Sequence, residues 1–97
     1  MRVHVHTIIQ SDAAITFDLG VKVREAYGDA WRESPLELDF SGIRNVSPSF
    51  LSQAVSPIIR EFPPAQVPDH LKFTNVPQPF ELIWQKVQQA AARIRLS

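Results

Sequence analysis

Residues 36–43 read LELDFSGI, a run in which apolar and polar side chains alternate up to a glycine. Such alternation is typical of a strand with one buried face, so we predict a strand over residues 36–40. Ser47 and Pro48 follow the next turn. Serine is a favoured N-cap, and proline is tolerated at the first helical position because its missing N–H would have no partner there. A helix is therefore expected to begin at Ser47.

This expected helix has one apolar face and one interruption. Pro57 removes a backbone N–H from the helical ladder and is expected to kink the helix. Pro63 and Pro64 should end it for the same reason. The apolar face, at helical spacing, consists of Leu51, Val55, Ile58, Ile59 and Phe62.

The N-terminal side predicts a strand, a short second strand and a helix. Residues 3–9 are rich in β-branched side chains and indicate a half-buried strand. Residues 13–17 are expected to pair back on it. Asp18 is the expected N-cap of a helix that ends near Gly28. Trp31 continues the apolar face of this helix, and we expect it to be half covered and to mark a contact patch.

The C-terminal side predicts a proline-containing loop over residues 65–69 and a third strand over residues 71–74. Pro77 and Pro79 are expected to open a last helix. Its apolar face is Phe80, Ile83, Trp84, Val87, Ala91 and Ile94. The order strand–helix, repeated three times, implies parallel pairing. The predicted fold class is α/β, a small sheet of about three to four mostly parallel strands with helices, in one domain over residues 1–97.

Composition limits the function classes. The 97 residues carry ten basic and ten acidic side chains, and this zero net charge argues against nucleic-acid binding. The absence of cysteine excludes disulfides, thiolate metal sites and cysteine nucleophiles. No apolar run is long enough for a membrane span, and the N-terminus lacks the apolar core of a signal peptide. We therefore expect a cytoplasmic protein without membrane contact.

Catalysis and metal binding have little support in the sequence. His4 and His6 share one strand face and His70 precedes another strand, but no acidic cluster or helical H-x3-H spacing accompanies them. No G-x-S-x-G nucleophile elbow is present. We expect no enzyme activity, no cofactor and no metal.

Asp39 lies near the carboxyl end of the predicted strand, where open α/β sheets tend to bind ligands or partners. It could equally be a structural carboxylate that accepts hydrogen bonds from loop N–H groups. The N-terminus of the following helix could attract an anion. A domain that senses a small molecule or nucleotide through this helix start is one hypothesis.

The segment LDFSGIRNVSPSFLSQAV resembles the strand–loop–helix core of STAS domains, which read approximately LDLSGV-x3-DSSGL at this place. It is more similar still to the STAS-like domain grouped as DUF4325, with an LDFSGV-like strand and a Ser-x-Ser-Phe helix start. The resemblance is strong over residues 36–55 and co-linear over nearly the whole chain. Aligned in this way, Ser47 stands where the STAS family has its aspartate, Pro48 at the phosphoacceptor serine and Phe50 at the following glycine.

The resemblance implies a non-catalytic regulatory domain that binds a protein partner, a histidine-kinase-type ATPase or another signalling protein, in a partner-switching system. Since Pro48 cannot accept phosphate, a phosphorylation switch would have to use Ser47 or Ser49. Ser47 could instead serve only as an N-cap. A homo-oligomer is a further possibility. The expected partner or ligand surface consists of Asp39, Ser41, Asn45, Ser47, Ser49, Phe50 and Gln53.

Overall fold

The computed structural model describes the backbone of residues 1–96 and the side chains of residues 1–92. In chain order, its elements are β1 (Arg2–His4), α1 (Val5–Ile9), β2 (Ala13–Ala14), α2 (Phe17–Tyr27), a 3₁₀ turn (Ala30–Arg32), β3 (Leu36–Asp39), β4 (Asn45–Val46), α3 (Pro48–Ala54), α4 (Ser56–Glu61), α5 (Val67–His70), β5 (Leu71–Thr74) and α6 (Phe80–Leu96).

The main sheet is parallel, with strand order β1–β3–β5, which confirms the predicted fold class. Val3, Leu38 and Phe73 are aligned across the three strands on the face that packs on the helices. The opposite face is polar, and Glu37 and Lys72 are aligned on it. Parallel sheets usually have both faces covered. This sheet instead alternates apolar and polar residues, as expected for a two-layer domain.

The two predicted N-terminal strands exist but are much shorter than predicted, and the second has a different partner. The strand predicted over residues 3–9 ends at His4, and the chain continues as α1 because Val5 and Ile9, four residues apart, both reach the core. The segment predicted to pair back on it contains β2, which pairs in parallel with β4 instead. The β-branched composition therefore indicated burial correctly and the backbone conformation incorrectly.

The first long helix differs from its prediction at the N-terminal end. Its N-cap is Thr16 and not Asp18, since the Leu19 N–H donates to the Thr16 hydroxyl at 3.3 Å. Gly28, at φ +54°, ends it as predicted. Trp31 lies in the separate 3₁₀ turn and is 3% exposed, so the half-covered contact patch expected there is wrong.

Ser47 and Pro48 begin α3 as predicted, with the Phe50 N–H donating to the Ser47 hydroxyl at 3.1 Å. Pro57 separates α3 from α4 and does not merely kink one helix. The Tyr27 hydroxyl donates to the Ala54 carbonyl oxygen at 2.5 Å and thereby stabilises the end of α3. Burial raises the pKa of Tyr27 above its ordinary value.

The C-terminal part follows the prediction with two differences. The loop predicted over residues 65–69 contains the start of α5, and the last helix begins at Phe80 and not at the prolines before it. β5 is confirmed over its predicted range. Phe80 and Val87 reach the core from α6, whereas the Ile94 side chain lies outside the described residues. None of the helices over residues 1–96 is both long and apolar enough to cross a bilayer.

Candidate functional site

Asp39 is buried at the end of β3 and is bound by donors from three directions. It accepts hydrogen bonds from the Ser41 N–H and hydroxyl at 2.9 and 2.8 Å and from the Asn75 amide at 3.0 Å. The Arg2 guanidinium lies at 2.6 Å and His4 Nδ1 at 3.3 Å. These hydrogen bonds, that of Asn75 first, hold the pKa of the Asp39 carboxyl well below its usual range.

This environment explains the carboxylate as a structural tie. Both carboxylate oxygens of Asp39 accept hydrogen bonds from other residues of the chain. These hydrogen bonds connect β1, β3 and the residue after β5. Glu37 extends the network, since it contacts Arg2 Nε at 3.2 Å and accepts from the Thr74 hydroxyl at 3.2 Å. Among the described residues, no three His, Asp or Glu side chains are grouped so that they could hold a metal ion.

The low pKa of Asp39 predicts a particular acid sensitivity. In the unfolded chain an aspartate titrates near pH 4. The carboxylate therefore stabilises the fold fully above about pH 4, and this contribution is lost as the pH falls towards the folded pKa. We expect the melting temperature, measured by circular dichroism between about pH 2 and pH 5, to fall more steeply for wild type than for Asp39→Asn, which cannot ionise.

The control for this comparison is Asp29→Asn, because the Asp29 side chain is 90% exposed. Its pH profile should run parallel to that of wild type. Identical slopes for wild type and Asp39→Asn would contradict the assigned role of Asp39.

The start of α3 lies against the start of α2. The Ser47 N–H donates to the Ala14 carbonyl oxygen at 3.0 Å, and the Ser47 hydroxyl donates to the Ile15 carbonyl oxygen. The same hydroxyl accepts from the Phe50 N–H and caps α3, so its only donor and one of its acceptor sites are used within the chain. Ser49, in contrast, is exposed, and no described residue makes a hydrogen bond to its hydroxyl.

An anion would find few donors at this helix start. Pro48 has no N–H, and the Phe50 N–H is taken by the Ser47 hydroxyl. Within the described part of the chain, the Ser49 N–H is the one N–H of the first three helical positions that is left without a partner, and α3 is only seven residues long. The arrangement gives the hypothesis of an anion sensor no specific support.

The structure does not bring the predicted surface residues together. Asp39 and Ser41 belong to the network at the sheet end. Asn45 and Ser49 are exposed beside the start of α3. Phe50 is fully buried against Phe40, so its side chain is not available to a partner. The remaining predicted residue, Gln53, is half-buried and accepts a hydrogen bond from Arg24 at 3.2 Å.

Two exposed apolar side chains beside Ser47 escaped the sequence analysis. Ile15 is 46% exposed and Phe17 is 55% exposed, and they flank the N-cap of α2. Residues 13–17 were predicted as a strand, and that prediction did not indicate that these two side chains lie at the start of a helix. We call Ile15, Phe17, Asn45, Pro48 and Ser49, all exposed, the helix-start surface.

Comparison with protein families gives one result. The model of the STAS-like domain of unknown function (DUF4325) matches residues 21–79, more than half of the chain. The chain belongs to this STAS-like family. The match includes β3, which contains Asp39, and α3, which contains Ser49, together with β5. Neither the curated proteins nor the solved structures include a significant match to this STAS-like chain. The family description supports a domain of regulatory or interaction type and nothing narrower.

Proposed function

We propose that this STAS-like domain is a non-catalytic regulatory module that docks on a protein partner through the helix-start surface. The observation that carries the proposal is the exposure of Phe17 and Ile15 beside the start of α3. Aromatic side chains are enriched among the residues that dominate binding energy in protein interfaces. Polar Asn45 and Ser49 on the same surface fit the rim of such an interface.

Ser49 supplies the proposed switch. Its hydroxyl is exposed and makes no hydrogen bond within the described residues, so a phosphate could be added without breaking a cap. Ser47 would lose its cap and its contact with Ile15 on modification. A phosphate on Ser49 adds about −1.5 to −2 charges in the first turn of α3, where negative charge is compatible with the helix dipole. The charge would change the docking surface without unfolding the helix.

The proposed partner is a signalling protein, and a histidine-kinase-type ATPase fits the resemblance of residues 36–55 to the STAS core. A partner kinase would modify Ser49 and release the domain. The proposed site of action is the cytoplasm. Docking through an apolar pair framed by polar groups is consistent with a zero net charge, because it does not depend on long-range steering.

The test begins with partners retained from the organism's own cell extract and continues with the purified partner in calorimetric titration. Phe17→Ala is expected to weaken binding at least about 30-fold, the effect of removing an interface anchor worth about 2 kcal/mol. Ser49→Asp should weaken it as well, while Ser49→Ala should bind like wild type.

The matched control is Leu82→Ala, because Leu82 is 60% exposed but lies on α6. It should bind like wild type. If Phe17→Ala bound as tightly as Leu82→Ala, the helix-start surface would be the wrong one.

A further inference from the structure

The edge of the main sheet formed by β5 has backbone groups that no strand of the described chain covers. The Phe40 N–H donates to the Thr74 carbonyl oxygen at 2.9 Å, so Thr74 points its backbone groups towards β3. Backbone directions alternate along a strand, which directs Lys72 in the same way and Phe73 outward. The N–H and C=O of Phe73 are therefore free to pair with a further strand.

The apolar side of this edge carries a groove that is large enough to receive a side chain from a further strand. A groove of about 240 Å³ runs beside β5, and half-buried Phe73, Val76 and Trp84 line it together with exposed Pro68. Half-covered aromatic side chains beside free backbone groups are a combination that natural edge strands usually avoid, because it favours pairing with another chain.

The polar side of the edge has an unbalanced charge. Lys72 is exposed and aligned with Glu37 on β3, yet it makes no ion pair with any described residue. Glu37 instead contacts Arg2 at 3.2 Å and the Thr74 hydroxyl at 3.2 Å. Lys72 is thus a cation on the edge strand, and Glu37 is a carboxylate on the next strand inward. In a second copy that runs antiparallel, each lysine can face the carboxylate of the other copy.

We propose that two copies of this chain pair antiparallel through β5, about a two-fold axis at Phe73, and form one continuous six-stranded sheet. Phe73 would exchange both backbone hydrogen bonds with Phe73 of the partner subunit. Lys72 would face Thr74 of the partner subunit, within reach of the carboxylate of the partner subunit's Glu37. The two-fold axis generates this ion pair twice.

The charges favour a second copy as the occupant. β5 supplies both the unpaired Lys72 and Thr74, and the Thr74 hydroxyl holds the carboxylate of Glu37, on the neighbouring strand β3, that would receive the partner's lysine. The zero net charge of the chain removes long-range repulsion between copies. Because the strand is short, the interface should be small and the dissociation constant should lie between about 1 µM and about 1 mM. The β5 edge is separate from the helix-start surface, so the dimer leaves that surface free.

The first test is sedimentation velocity over a concentration series from about 10 µM to about 1 mM, the range expected for weak interfaces. Wild type is expected to pass from monomer to dimer. Lys72→Glu should weaken dimerisation at least about 10-fold, because it places a carboxylate beside Glu37 of the partner subunit. The control is Lys22→Glu, which reverses an exposed lysine on α2 and should dimerise like wild type. A wild type that stays monomeric over the whole concentration series overturns the proposal. The β5 edge would then be available only to a strand of another protein.

The second test reports the register. The chain has no cysteine, so single substitutions give one thiol each. With oxidised glutathione as the oxidant, a mixture of Lys72→Cys and Thr74→Cys should form a disulfide-linked heterodimer much faster than either variant alone. The two positions face each other as a pair without backbone hydrogen bonds, about 4.5 Å between Cα atoms. A dimer that shows no preference for the mixture contradicts the antiparallel register. Neither result bears on partner binding by the helix-start surface.

Discussion

Replacement of Phe40 by alanine is expected to lower the free energy of unfolding by about 3–5 kcal/mol. Phe40 follows β3 directly and is fully buried. Its ring centroid lies 5.5 Å from that of Phe80, 6.2 Å from that of Phe73 and 6.5 Å from that of Phe50. One side chain thus joins α3, β5 and α6. The three rings are held by separate elements, so they cannot collapse far into the cavity that its removal leaves.

The loss is large against the total stability of a small domain, which is about 5–15 kcal/mol. Urea denaturation followed by circular dichroism measures it as a lower transition midpoint with an unchanged slope. Phe17→Ala removes the same atoms from an exposed position and should change stability by no more than about 0.5 kcal/mol. Equal losses in the two variants would contradict the packing role of Phe40.

Phe40 also shows why the centre of the fold was predictable. Around β3 the sequence contains both an alternation of period two and a serine–proline helix start, and each depends on chemistry within a few residues. The serine cap and the strand therefore appear in the structure where predicted. Of the predicted apolar face, Leu51, Val55 and Ile58 are fully buried, but they are divided between α3, the break after it and α4. Local sequence patterns of this kind can be interpreted without knowing which parts of the chain pack on them.

Residues 5–17 were predicted less well, because their conformation depends on distant parts of the chain. The isoleucine- and valine-rich run after His4 can be buried as a strand or as a helix, and contact of α1 with α2 decides between them. β2 has only two residues, and its partner β4 lies some thirty residues away. A pairing so short and so remote leaves no periodic pattern in the sequence.

The candidate site shows the same division. The sequence placed Asp39 at the end of the strand and Ser49 in the first turn of the following helix, where the structure has them. It did not indicate that Asn75, after β5, would reach back to the Asp39 carboxylate. It also included Phe50 in the expected partner surface, which was placed at the start of the helix after β3. In the structure the Phe50 ring is buried against Phe40, and its backbone carbonyl lies against α2 at Gly20.

Gly20→Ala is expected to lower the free energy of unfolding by about 1–3 kcal/mol, although alanine favours a helix by up to about 1 kcal/mol more than glycine. A Cβ atom at residue 20 would lie 2.4 Å from the Phe50 carbonyl oxygen and 2.8 Å from Gln53 Cβ. The first of these atoms belongs to the backbone of α3 and cannot rotate away. The two helices must therefore separate, and Tyr27 would lose part of its contact with Ala54.

Thermal melting measures this effect, because a domain of this size shifts its midpoint by about 4–8 °C for each 1 kcal/mol. The control is Lys22→Ala in the same helix, which changes an exposed side chain and should stay within about 0.5 kcal/mol of wild type.

Separation of the helices should also move Phe17 relative to Ser49, so Gly20→Ala is expected to weaken partner binding even below its melting midpoint. A variant as stable as wild type would show that α2 and α3 do not depend on the glycine for their close packing. Unchanged binding by a destabilised variant would show that the helix-start surface tolerates the displacement. The residues that bind the partner would then lie at the start of one helix and not at the starts of both.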